Sequence, residues 1–239
     1  MSHLPIHRSS QLTDFGVYLK TIVSKTSASS DRYAFSHTDD YYFFGFIEEG
    51  QCRLNIDFKE CTFEKDSLVI IRPGQVHRII DAYNLSANFL IIDSVLVNKE
   101  EKRLLERHGR QEIQIFDISE QKQLLSLLAH RLSCTENSFS KPIIQRLTTV
   151  IVGLVVKDVA TETQSELQGN INRYKEIAWD FRELLESNIR TNRAPSFYAE
   201  RLNITVAYLN EAINAVWGTS VSRNIQDEII LQAKRQLVY

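Results

Sequence analysis

Between residues 33 and 92 the chain alternates short apolar runs with turn residues. Tyr41 to Ile47 is continuously apolar apart from Gly45, and Glu48-Glu49-Gly50 interrupts it. Cys52, Leu54, Ile56 and Phe58 then alternate with Arg53, Asn55 and Asp57. A period of two puts one set of side chains on each face of a strand, so this segment is predicted to be a half-buried strand. After a turn at Lys59-Glu60, Cys61-Thr62-Phe63 follows, then Leu68-Val69-Ile70-Ile71 running into Pro73-Gly74, then Val76 to Ile80 and Leu85 to Ile92. Short strands spaced by about 8 to 12 residues predict a sandwich or a small barrel. Upstream, Leu12 to Val23 is a short amphipathic stretch followed by a run of small polar residues from Ser24 to Ser30. Residues 1–30 are therefore expected to form an N-terminal arm outside the barrel.

Beyond the barrel the period changes. Asn98 can cap a short helix with Glu101 at its third position, and Gly109 can end it. Ile113 to Phe116 suits a last strand, which closes a domain at 31–116. Ser119 to Leu132 reads as helix. After Ser140-Lys141-Pro142, the residues Ile143, Ile144, Leu147, Val150, Ile151, Leu154 and Val155 make a wide apolar stripe at helical spacing. Such a stripe needs a partner. It can pack on the barrel, or Ile143, Leu147, Val150, Ile151 and Leu154 can form a dimer interface, and the two roles can share faces. Residues 117–162 are thus a helical dimerisation segment, and the polar stretch at 163–170 is a linker.

Residues 171–239 read as helix throughout, beginning with Tyr174, Ile177, Ala178, Phe181, Leu184, Leu185 and Ile189. Within them a short helix from Pro195 to Leu202 is followed by Asn203, which tolerates the left-handed conformation, and by Thr205, which can cap a second helix from Val206 to Trp217 that stops at Gly218. Ile204 can staple onto Leu209, and the small Ala199 leaves room for a close helix crossing. This is the pattern of a helix-turn-helix. Such a pair can read DNA, or it can be purely structural.

Composition narrows these options. The chain has 239 residues, 43% hydrophobic and 24% charged, which excludes intrinsic disorder and fibrous repeats. With 28 Lys+Arg and 30 Asp+Glu the formal charge is −2, so no basic excess marks the chain as a phosphate binder. No apolar run reaches membrane-spanning or signal-peptide length, and a cytoplasmic protein is expected. Cys52, Cys61 and Cys134 have neither a C-x-x-C spacing nor an even count, which argues against a disulfide framework and a structural zinc site.

The segment Ala199-x-x-Leu202-Asn203-Ile204-Thr205-x-x-Tyr208-Leu209-Asn210, with Ile213, Gly218, Ile225 and Ala233-Lys234-Arg235-Gln236-Leu237, resembles the first half of the DNA-binding region of AraC-type transcriptional regulators. His37, Tyr41 to Ile47, Glu49-Gly50 and Asp66 to His77, with Pro73-Gly74-x-x-His77, resemble the cupin barrel that serves many of these regulators for effector binding and dimerisation. The resemblance implies an α+β protein: an N-terminal cupin-like β-barrel with dimerisation helices, then an all-α partial helix-turn-helix domain. It implies a homodimer, a small-molecule effector and promoter DNA as partners, with no membrane and no cofactor. The family has a second helix-turn-helix after a connecting helix. Here Val221 to Val238 would be that helix, and its stripe of Val221, Ile225, Ile229, Ala233 and Leu237 leads us to expect a truncated form. The positions carried over for DNA contact are Thr205, Ala207, Tyr208, Asn210, Glu211 and Asn214. None is Lys or Arg, so weak DNA binding is expected.

For the barrel, the candidate ligand-binding residues are His37, Tyr41, Phe43, Arg53, Arg72 and His77. The aromatics Tyr33, Phe35, Tyr41, Tyr42, Phe43, Phe44 and Phe46 offer a wall, and the two arginines could fix an anionic group. Metal-dependent members of the cupin family use more ligands than His37 and His77 supply. Asp39 offers a third, while His3, His7, His108 and His130 lack a motif context, so no metal site is expected. No Walker loop, nucleophile elbow or H-E-x-x-H occurs. A non-enzymatic regulator is the leading expectation, with a metal-dependent cupin enzyme carrying an accessory helical domain as the alternative.

Overall fold

Two strands of unusual length organise the N-terminal part: β4 (Tyr41–Ile56) and β7 (His77–Asp93) pair antiparallel from Tyr41↔Asp93 to Ile56↔His77. The computed structural model describes residues 6–8, 15–23, 35–107, 112–114, 118–134, 139–165 and 172–237. It divides into two units, Met1–Glu162 and Thr163–Tyr239.

In the first unit the remaining strands are β1 (Ile6–His7), β2 (Val17–Val23), β3 (Thr38–Asp39), β5 (Lys59–Glu64), β6 (Ser67–Ile71) and β8 (Glu112–Gln114). The main sheet runs β2-β7-β4-β6-β8 with β5 paired to β4, and β1 pairs β3 in parallel. Register shifts along the β4–β7 ladder lie between Ile47 and Glu49, Glu49 and Gln51, and Arg53 and Leu54. Bulges of this kind bend long strands, and here they let one continuous pair serve both walls of a barrel. At the bend Gly50 has φ 75°, and a Cβ there would overlap the carbonyl oxygens of Asn84 and Tyr83, so only glycine fits.

The near-continuous apolar run of β4 has a simple cause, because both faces of this part of the sheet are buried. Tyr42, Phe44, Phe46, Leu68, Ile70, Leu90 and Ile92 point outward into a core shared with Val97, Leu105, Leu125, Leu128, Ile144, Val152 and Val155. Those partners come from the turn after β7 and from helices α1 (Lys99–Arg107), α2 (Ser119–Ser133) and α3 (Ser140–Ser165). Ile47, Cys52, Leu54, Phe63, Val69, Ile71, Ala82 and Leu85 face the barrel interior. The capping box at α1 forms as the spacing predicts: Asn98 N–H donates to Glu101 Oε2 at 2.9 Å and Glu101 N–H donates to Asn98 Oδ1 at 3.0 Å.

Two expectations change here. Residues 17–23, assigned to an arm, are an integral strand pairing β7 from Val17↔Ile92 to Val23↔Ser86. The apolar side of that stretch completes the sheet, with Val17 buried against the helices. The stripe on α3 also divides. Ile151 is fully buried in the core under the sheet, and Leu147 packs partly against it, whereas Ile143 and Val150 are 39% and 52% exposed. Ile151 is therefore a core residue and not an interface residue. Tyr33, Gly109 and the Phe116 end of the predicted last strand lie outside the described residues.

The second unit is helical: α4 (Asn172–Asn188), α5 (Pro195–Arg201), α6 (Val206–Trp217) and α7 (Val221–Leu237). Ile177, Phe181, Leu185, Tyr198, Leu209, Ile213, Val221 and Ile225 share one core. Ala199 is 2% exposed, and the chain turns between α5 and α6 with Asn203 at φ 54°. Thr205 caps α6 by accepting a hydrogen bond from Tyr208 N–H at 3.1 Å, and Gly218 ends it at φ 67°. Among the described residues no helix is long and apolar enough to cross a membrane.

Candidate functional site

The inner face of the barrel encloses a cavity of about 140 Å³, near the size that holds a benzene-like molecule. Strand alternation selects its walls. Tyr18, Lys20 and Ile22 come from β2, Tyr41, Phe43, Cys52 and Leu54 from β4, Val69 and Ile71 from β6, and Ile79, Ala82, Leu85, Phe89 and Ile91 from β7. Besides Lys20, the polar groups are His37, Asp39 and His77, which join the lining together.

Four of the six ligand-binding candidates therefore reach the cavity: His37, Tyr41, Phe43 and His77. Arg53 and Arg72 do not, which corrects the expectation that they fix a ligand. Cys52 and Leu54 face inward, so the intervening Arg53 faces outward, where its Nε donates to both carboxylate oxygens of Asp81 at 3.0 Å. That bidentate contact raises the arginine pKa and lowers that of Asp81. Arg72 follows the inward Ile71 and is spent on structure, donating from Nη1 to the Glu106 carbonyl at 3.2 Å. The aromatic wall also divides by parity, since Tyr42, Phe44 and Phe46 lie on the helix-covered face, and Phe35 is 74% exposed.

At the polar end, backbone pairing sets the geometry. His37 and His77 form an antiparallel bridge, with His37 N–H donating to His77 O at 3.1 Å and His77 N–H to His37 O at 2.9 Å. Their rings are tilted by 58° with centroids 4.2 Å apart. Asp39 lies between them, with His77 Nε2 at 3.2 Å from Oδ2 and His37 Nε2 at 3.9 Å from Oδ1. All three are at least nine-tenths buried. Burial first, and the neighbouring His77 second, lower the pKa of His37 below the ordinary imidazole value, so the neutral ring is favoured.

A third histidine joins them. β1 pairs β3 with His7 opposite Asp39, and His7 Nδ1 lies 3.4 Å from Asp39 Oδ1. The sequence offered no local signal for this, because the pairing of a two-residue strand across thirty intervening positions leaves no periodic trace.

The α6 positions carried over for DNA contact are also placed. Ala207 and Asn214 are exposed. Thr205 is the helix cap. Tyr208 makes an edge contact with Tyr174, whose hydroxyl donates to Glu211 Oε1 at 2.7 Å. Asn210 Oδ1 accepts from Val221 N–H at 3.0 Å.

Residues 23–89 match the family model described as AraC-like ligand binding domain. Comparison with curated proteins gave no match. Among solved structures the chain is similar to the AraC-like transcriptional activator CuxR, at 16% identity over 92% of this chain and 78% of that one with a TM-score of 0.40. It is similar to ToxT from Vibrio cholerae at 12% identity over 87% of this chain and 96% of that one, TM-score 0.37. A putative mannose-6-phosphate isomerase from Ralstonia eutropha JMP134 aligns with 34% of this chain and 78% of its own, at 10% identity and TM-score 0.28. The strands within residues 23–89, the stretch similar to the AraC-like ligand binding domain model, supply most of the cavity wall.

Proposed function

We propose that the chain is a non-enzymatic transcriptional regulator of the AraC type, which takes a small, largely apolar effector into the barrel and acts on promoter DNA through the second unit. The observation that carries the reading is the cavity lined largely by the matched stretch, apolar along most of its walls, with His37, Asp39 and His77 together and Lys20 of β2 as its charged or titratable groups. A site of this make-up selects by shape and fixes orientation through a few polar groups. In the second unit α5 and α6 are read as a helix-turn-helix, with Ala207 and Asn214 on the exposed surface of α6 free to approach base edges. No Lys or Arg occurs from Val206 to Trp217, so phosphate attraction from α6 itself is small and binding is weak. The exposed Ile143 and Val150 on α3, with Leu127 of α2 at 40% exposure, are assigned to a homodimer contact.

Selection of duplexes from a random-sequence pool at low salt tests the DNA function. The expected result is enrichment of a shared motif that Ala207→Asp abolishes; recovery of unenriched sequence would overturn it.

A further inference from the structure

The exposed surface at the start of α6 is apolar. Val206, the first residue of the helix, is 43% exposed and lies outside the core that Leu209, Ala212 and Ile213 of the same helix help to form. Ala207 beside it is exposed as well. The polar side chains around this pair already carry hydrogen bonds within the unit. Thr205 Oγ1 accepts from Tyr208 N–H at 3.1 Å, Asn210 Oδ1 accepts from Val221 N–H at 3.0 Å, and Glu211 Oε1 accepts from the Tyr174 hydroxyl at 2.7 Å. A β-branched residue is a poorer helix former than the straight-chain alternatives, so neither packing nor helix propensity accounts for a valine at this exposed position.

The reading of α5 and α6 as a helix-turn-helix, on which this inference rests, sets the N-terminal residues of α6 against base edges in the major groove. The C5 methyl of thymine is the one apolar group on the floor of that groove; the other bases present donors and acceptors there. Valine or alanine pressed onto a donor or acceptor removes its water and returns no hydrogen bond. Against a methyl group the same side chains bury carbon on carbon, which is favourable. The commonest specific contact, Arg or Lys to guanine, is closed to α6, because no Lys or Arg occurs from Val206 to Trp217. We propose that Val206 and Ala207 recognise thymine by its methyl group, so that the DNA sites of this chain carry thymines on neighbouring base pairs where α6 enters the groove. Val206 is then a specificity-determining residue that acts by apolar contact.

Duplexes recovered from a random-sequence pool at low salt supply the probe. Each enriched thymine is replaced singly by uracil, which removes the methyl and keeps every hydrogen-bonding edge, and binding to the full chain is followed by fluorescence anisotropy. A loss of about 4-fold per methyl is expected at neighbouring thymines, the effect of one buried methyl-sized group. At the same places 5-methylcytosine is expected to bind more tightly than cytosine. Val206→Ser alters an exposed position and should leave the unfolding temperature nearly unchanged, yet at the thymine that Val206 contacts it is expected to bind the thymine and uracil duplexes equally. A pool without an enriched motif would overturn DNA binding and this inference together. An enriched motif in which no uracil weakens binding, or in which Val206→Ser keeps the full uracil effect at every thymine, would overturn methyl recognition alone and leave DNA binding standing.

Discussion

Asn210 of α6 accepts a hydrogen bond from the first backbone N–H of α7, at Val221, 3.0 Å away. A residue that suits adenine recognition is thereby committed to holding two helices together. Asn210→Ala is expected to lower stability by about 1 kcal/mol, the usual value of a helix cap, and to reduce the unfolding temperature in a calorimetric scan. An unchanged scan would return Asn210 to the set of residues free to touch DNA.

Filling the barrel tests the cavity. Ala82 lies on its wall and is 8% exposed. Ala82→Phe should occupy the space at a cost of about 1–3 kcal/mol from overpacking. With methyl-labelled protein, toluene is expected to shift the signals of Ile79 and Ile91 in the wild type and to leave them in place in the variant. Equal shifts in both would locate the toluene elsewhere.

The division of the α3 stripe predicts opposite outcomes for neighbouring substitutions. Ile143→Glu with Val150→Glu alters exposed positions; surface changes usually stay within about 0.5 kcal/mol each, so a folded monomer is expected by sedimentation. Ile151→Glu would bury a charge in the core under the sheet and should give little soluble protein. A double variant that still sediments as a dimer would move the interface off α3.

Glu228 on α7 gives a pH dependence with a definite sign. Burial is the main cause that raises its pKa above 4.5, partly offset by the hydrogen bond from Gln232. The folded state therefore keeps this proton at pH values where the unfolded chain has released it, and stability falls as pH rises from 4.5 through the folded-state pKa. Glu228→Gln should flatten that part of the stability profile and make the protein at least as stable at neutral pH. A steeper profile in the variant would reverse the assignment.

The sequence was most legible where local rules decide structure. The Asn98–Glu101 box, the Thr205 cap and the left-handed Asn203 all depend on neighbours within four positions, and all are found. Period two likewise sorted Cys52 and Leu54 from Arg53, although the sorting itself argues that Arg53 leaves the cavity, a step the charge pattern obscured. The failures concern pairing at long range. Nothing in Leu12 to Val23 shows that β7 is its partner, and nothing near His7 shows that it meets Asp39. The continuous apolar run of β4 hid which aromatics face inward, because a strand buried on both faces carries no alternation to read.

That same run makes the barrel wall a membrane one residue thick in the mechanical sense. Phe43 touches the cavity, and the next residue, Phe44, lies in the core beneath the helices. A close-packed wall has no slack in which to absorb a displacement. An occupant that displaces the strand at Phe43 also displaces Phe44, so the helices packed on Phe44 are one residue away from the cavity.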